Sequence, residues 1–132
     1  MPPAKIEHIE GTEQQKNRAF SPAVITEGGR IVWLAGKTTT TDVNGKDISG
    51  KFEEQTRTVF ELLGRTLERA GGSLANLVTM TVFILDPRHG DRFVQIRREC
   101  FPEGRYPASA LLTISNFARP GIAIEIQGVA VI

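Results

Sequence analysis

A chain of 132 residues, 40% hydrophobic and 23% charged, has the make-up of one globular domain over residues 1–132 and excludes a disordered or collagen-like chain. The formal net charge of +1 excludes the strong positive field expected of a protein whose main partner is nucleic acid. Cys100 is the sole cysteine, so no internal disulfide can form, which suits a reducing compartment. The start, Met1-Pro2-Pro3-Ala4-Lys5, lacks the apolar stretch of a secretory signal, and the longest apolar run, Ile31–Ala35, is too short to span a bilayer. A cytoplasmic protein with no membrane partner is expected.

The pattern in chain order predicts an edge strand over Ile6–Glu10 and a polar loop over Gly11–Ala19. Ala23–Ile25 and Ile31–Ala35 read as a β-hairpin joined through Glu27-Gly28-Gly29, its second arm apolar enough to be buried on both faces. Thr38–Thr41 is β-branched and favours extended chain, and Asn44-Gly45 marks a turn. A long helix of about 20 residues, roughly 30 Å, follows. Ser49 is placed to cap it, Glu53 and Glu54 favour its first turn, and Phe52, Val59, Leu63, Leu67 and Ala70 share one face. Gly71-Gly72 supplies its stop.

Leu77–Leu85 is a strand with Val78, Met80, Val82 and Ile84 on one side and Thr79 and Thr81 on the other. Asp86-Pro87 starts a second helix whose inner face carries Phe93, Ile96 and Cys100. The arginines and His89 between Arg88 and Arg98 read as its solvated face. Ala108–Ile114 and Ile122–Ile132 complete the chain as strands. In the last, Ile122, Ile124, Ile126, Ala130 and Ile132 oppose Ala123, Glu125, Gln127, Val129 and Val131. The order β-β-β-α-β-α-β-β predicts an α+β fold: one mixed β-sheet with two helices packed on one face. The other face stays bare and largely apolar, which calls for a partner, most cheaply further copies of the same chain.

Familiar catalytic signatures are few. His8 and His89 have no metal-ligand spacing, so no metal is expected. Cys100 falls on an inner helix face and reads as packing. Gly36-Lys37-Thr38 imitates the end of a phosphate loop, but Ile31 stands where that loop needs glycine, and a strand pattern follows in place of a helix. Glu125 stands out as a carboxylate within an apolar strand, a costly position without water or a partner. It either meets solvent on the face of Gln127 or sits at the mouth of a cleft, where a carboxylate suits general acid–base work. Gly36 and Lys37, at the end of an apolar strand, form either an ordinary strand end or a place where backbone N–H groups hold a ligand's carboxylate or carbonyl.

Four stretches together resemble the Rid family of reactive-intermediate deaminases, also called YjgF. They are Phe20-Ser21-Pro22-Ala23, Ile31-Val32-Trp33-Leu34-Ala35-Gly36, Phe52-Glu53-Glu54-Gln55-Thr56-Arg57 (the family's Glu-x-Gln-Thr-Arg pattern), and Ala70–Leu74 running on to Val82-Phe83. The resemblance covers most of the chain from about Phe20 onward. It implies a chorismate-mutase-like fold assembled as a homotrimer, sheets inward and helices outward, with clefts between neighbours. It also implies hydrolysis of enamine or imine substrates to carbonyl compounds and ammonia without cofactor or metal. Carried over by position, Glu125 matches the glutamate that positions water and Gly36 the glycine of the cleft. Phe20 stands where many members have tyrosine, and Val94 replaces a polar helix residue. In Pro107-Ala108-Ser109-Ala110, Ser109 occupies the place of the deaminases' carboxylate-binding arginine, whose charged fork a serine cannot reproduce. The chain thus resembles an arginine-lacking branch. Either Arg105, Arg119 or Lys37 restores the charge, or the substrate differs, as in relatives resembling 2-aminomuconate deaminases, or a small molecule is bound without turnover. RNA cleavage, under which some relatives are named (endoribonuclease L-PSP), is disfavoured by the near-neutral charge and the lack of a histidine pair.

Overall fold

The computed structural model describes residues 2–132. Six strands and three helices follow the order β1 (Lys5–His8), α1 (Glu13–Asn17), β2 (Val24–Glu27), β3 (Ile31–Trp33), α2 (Phe52–Arg69), β4 (Leu77–Ile84), α3 (Gly90–Cys100), β5 (Ala108–Thr113) and β6 (Ile124–Val131). The α+β reading holds, with two corrections to the sheet. The strands form a four-stranded mixed sheet, β3-β6-β4-β5, and a separate two-stranded ribbon, β1-β2. The expected hairpin of β2 with β3 does not form. Gly28 and Gly29 both have positive φ (68° and 77°) in the turn between β2 and β3. Arg30 then exchanges both backbone hydrogen bonds with Ile132, so the final strand captures β3 while β2 pairs back onto β1.

The segment 11–19 contains a turn of helix in place of the expected loop. Thr12 and Gln15 form a reciprocal capping box around it, a Thr-x-x-Gln signal present in the sequence. Thr38–Thr41 is extended but makes no regular strand; only the bridges Lys37–Ile126 and Thr41–Asp47 form. Ser49 does not cap α2. Its N–H and hydroxyl both donate to Asp47, and the helix begins after Lys51 with no side-chain cap. The helix stop is as expected: Gly71 has φ 95°, its N–H reaches Glu68 O, and Gly72 N–H reaches Leu67 O, the paired closure that satisfies orphan carbonyls.

Alternation in β4 and β6 sets the two faces of the large sheet. Met80, Val82, Ile84, Ile124 and Ile126 are all buried, and they join Val59, Phe60, Leu63, Phe93 and Ile96 of α2 and α3 in one core. A register shift between Leu77 and Thr79 leaves Val78 as the extra residue of a bulge. Surface pairs link the helices: Arg57 bonds Glu99 at 2.7 Å and Arg92 bonds Glu53 at 2.7 Å.

The opposite face carries no helix. Register places three rows across it: Trp33–Val129–Thr79–Ala108, then Gln127–Thr81–Ala110, then Glu125–Phe83–Leu112. The second arm of the expected hairpin, read as buried on both faces, is open here: Ile31 is 57% and Trp33 76% exposed. A further correction concerns α3. Its arginines do not all lie on a solvated face, because Arg97 is only 2% exposed.

Candidate functional site

Glu125 sits at the start of β6, half-buried, on the open face with Gln127. Two features hold it there. Gln55, fully buried on α2, donates through Nε2 to Ile48 O (2.9 Å) and Gly121 O (2.7 Å) and accepts from Ala123 N–H (2.8 Å). Those bonds fix the lead-in to β6 two residues before Glu125, giving the Glu-x-Gln-Thr-Arg pattern a physical task. The second feature is Gly36. From the pair Trp33–Val129 to the pair Lys37–Ile126, one strand advances four residues and the other three, so an extra residue bulges the chain at Gly36. A Cβ on Gly36 would stand 2.3 Å from Glu125 Oε2, so only glycine lets the carboxylate lie across this backbone. Lys37 N–H is not free for a ligand as the strand-end reading supposed. It donates to Ile126 O at 2.8 Å.

Phe20 and Ser109 belong to a second cluster. Ser21 N–H donates to Pro107 O (3.1 Å) and its hydroxyl to Tyr106 O (2.6 Å), which ties the Phe20-Ser21 loop to the start of β5. Ser109 lies opposite Met80 and so faces the helix layer, whereas Glu125 lies opposite Phe83 on the open face. The two are about 10 Å apart along the strands and about 10 Å across β4. One chain therefore brings Glu125 and Gly36 together and does not bring Ser109 or Phe20 to them.

Of the cations considered for the missing charge, Arg105 and Arg119 are exposed and Lys37 is half-buried. None makes an ion pair among the described residues. The residue missed by sequence reasoning is Arg97. Its Nη1 donates to Ser109 Oγ at 2.7 Å and its Nη2 to Arg18 O at 2.8 Å, and its guanidinium lies 5.0 Å from the centre of the Phe93 ring. Burial, reinforced by the neighbouring charge of Arg18, pulls it down to about 10. Its four-residue spacing from Phe93, an inner-face residue, was the signal that could have found it.

A groove of about 840 Å³ opens elsewhere, lined by His8, Lys16, Phe20, Arg98, Phe101 and Tyr106. It contains Phe20 but not Glu125. His8 Nε2 is buried there without a partner, and burial followed by the charge of Arg105 lowers its pKa. His89 instead stacks on Phe52, with ring centres 4.3 Å apart. Beside the Glu125 row on the open face, Trp33, Thr79, Thr81, Gln127 and Val129 surround a hollow of about 280 Å³. Among the described residues no group of three or more His, Cys, Asp or Glu could hold a metal ion. Cys100 is packed as expected, and burial pushes its thiol up to about 11. No described helix is long and apolar enough to cross a membrane.

Residues 12–132 match the family model described as Endoribonuclease L-PSP. A RutC family protein of Pyrococcus horikoshii is 28% identical over 111 residues, covering 84% of this chain and 85% of its own. Among solved structures, a Rid family protein from Yersinia pestis superposes with a TM-score of 0.77 at 21% identity, covering 99% of this chain and all (100%) of that one. RidA from an Antarctic Psychrobacter gives 0.71 at 24% identity, with coverage of 96% and 100%. The model match and the shared fold together establish that the chain belongs to the Endoribonuclease L-PSP, or Rid, family.

Proposed function

We propose that the protein hydrolyses small enamines or imines to carbonyl compounds and ammonia, in clefts between the subunits of a homotrimer, with Glu125 as the general acid–base. The observation that carries this reading is the Glu125 carboxylate laid across Gly36 on a sheet face with no helix over it. An exposed Trp33 and Leu112 on that face would cost little if second copies covered it and much if they did not. Assembly also offers the one route by which Ser109 and Phe20 of a neighbour could approach a Glu125 they cannot reach within their own chain.

In this reaction an enamine first takes a proton on carbon and gives one up from nitrogen, becoming the imine. Glu125 removes a proton from water as its oxygen bonds to the imine carbon, then returns the proton to nitrogen. Glu125 then carries the hydroxyl proton to the nitrogen as the C–N bond breaks, ammonia leaves and the oxygen stays as the carbonyl. No redox partner or cofactor is required by the balance of this step.

A second reading, a small-ligand-binding homologue without turnover, is favoured by Ser109 in place of an arginine. Glu125→Gln separates the two. Incubated with imino acids generated in situ and with aminomuconate, the wild type should release ammonia well above the buffer rate. The variant should lose about 10²-fold or more of that acceleration while remaining folded. Wild-type protein no faster than buffer, beside an active relative as control, would refute the deaminase reading and leave the binder.

A further inference from the structure

Glu125 has a neighbour on each side in its row across the open face, and the two differ in chemistry. On the β4 side stands Phe83, which offers a carboxylate nothing to bond. The other side belongs to the chain that continues from β3. Beyond the bulge at Gly36, Lys37 and Ile126 exchange both backbone hydrogen bonds, at 2.8 and 3.1 Å. The next residues along, Thr38 and Glu125, therefore oppose each other as a close pair, their Cβ atoms about 5 Å apart. Ile126 is buried against the helices, which places Lys37 on that side and Thr38 on the open side with Glu125.

A preference for extended backbone accounts for a β-branched residue at position 38 but not for its hydroxyl. Thr39 turns its own hydroxyl back onto Thr41 O at 2.6 Å. Thr38 is half-buried, and its hydroxyl has no hydrogen-bond partner among the described residues, Glu125 included. The carboxylate leans over Gly36, so acid and hydroxyl face one another without joining. Thr81 also lies on this face, but in the row of Gln127, about 7 Å along the strands. Thr38 is thus the hydroxyl placed to share a third group with Glu125.

We infer that Thr38 is a second catalytic residue, whose Oγ1 accepts one proton of the attacking water while the Glu125 carboxylate accepts the other. A water bonded through both protons has its lone pairs turned away from the sheet, toward whatever occupies the cleft. As the water oxygen bonds to the imine carbon, the proton facing Glu125 transfers and the one facing Thr38 stays. Thr38 neither gains nor loses a proton. It remains bonded to the new hydroxyl until Glu125 moves that proton to the departing nitrogen. The inference rests on the proposed function and deepens it, because it fixes the sheet as the side from which water attacks.

The test is ammonia release by wild type, Thr38→Val and Thr38→Ser over a series of concentrations of imino acids generated in situ and of aminomuconate, with a thermal melt of each protein. Thr38→Val keeps the shape and removes the hydroxyl. Its kcat should fall about tenfold or more while KM stays within about twofold, because the bond lost is one to the reacting water. Thr38→Ser should recover most of the rate. Wild-type kcat in folded Thr38→Val, a loss that serine does not recover, or a loss confined to KM would overturn the inference. Should Thr38→Val fail to fold, Thr38→Ala compared with Thr38→Ser takes its place. The two readings fail distinguishably. A wild type no faster than buffer removes the deaminase and this role with it, whereas an active wild type equalled by Thr38→Val removes the role of Thr38 alone.

Discussion

Replacing Gly36 with alanine should uncouple activity from stability. The new Cβ would lie 2.3 Å from Glu125 Oε2 and 3.0 Å from Cδ, against ordinary contact from 3.4 Å, so the carboxylate must retreat by about 1 Å. The backbone can accept alanine, since Gly36 is not among the glycines with positive φ. Glu125 is half-buried and can swing aside, so folding should change by no more than about 0.5 kcal/mol. A displacement of that size at a reacting group costs about 10²-fold in rate. Ammonia release and a thermal melt on the same preparation decide the matter. Turnover at the wild-type level would show that the carboxylate's place over Gly36 is irrelevant to the reaction. A collapse of the melting temperature would show that Gly36 serves packing.

Gln55→Ala removes three hydrogen bonds and strands the Ala123 N–H, while Ile48 O and Gly121 O keep the N–H groups of Lys51 and Gly50, so at about 1 kcal/mol for each lost bond it should cost about 3 kcal/mol. At fixed protein concentration that lowers the melting temperature by about 10 °C, and a change below a few degrees would contradict the clamp. Asp86, bonded first by the Arg88 side chain and then by its N–H, is held at about 2 against its usual 3.8. A lowered carboxylate contributes stability that is present above pH 3.8 and lost as pH falls through 2. An NMR titration should place its midpoint well under 3.8, and an ordinary midpoint would exclude the cap. The packed, proton-holding thiol of Cys100 should resist iodoacetamide at pH 8 until the chain is unfolded. Rapid native labelling would contradict its burial.

Periodicity carried most of the fold. The α2 face and the alternation of β4 and β6 were legible, because each is a local pattern repeated over several turns or pleats, whereas Asp86-Pro87 caps a 3-10 turn, Pro87–His89, that leads into α3 at Gly90. Pairing was not. Whether β2 meets β3 or β1 depends on Arg30 being captured by Ile132, a contact a hundred residues distant in sequence. The strand carrying Ile31 and Trp33 looked like core because an unbroken apolar run reads as buried on both faces, whereas in the single chain both side chains are exposed. At the site, Glu125 and Gly36 could be picked out as a carboxylate in an apolar strand and a glycine at a strand end. Arg97 was passed over, because charge argued for solvent and only its phase with Phe93 sets it apart among the arginines of α3.

The account depends on neighbours closing the open face over Glu125. Sedimentation equilibrium, run on wild type and Trp33→Glu at assay concentration, tests this most directly. The wild type should weigh three times the 14.5 kDa of one chain, and the variant should fall to a single chain and lose turnover with it. A wild type that sediments as one 14.5 kDa chain while still releasing ammonia would contradict the shared cleft.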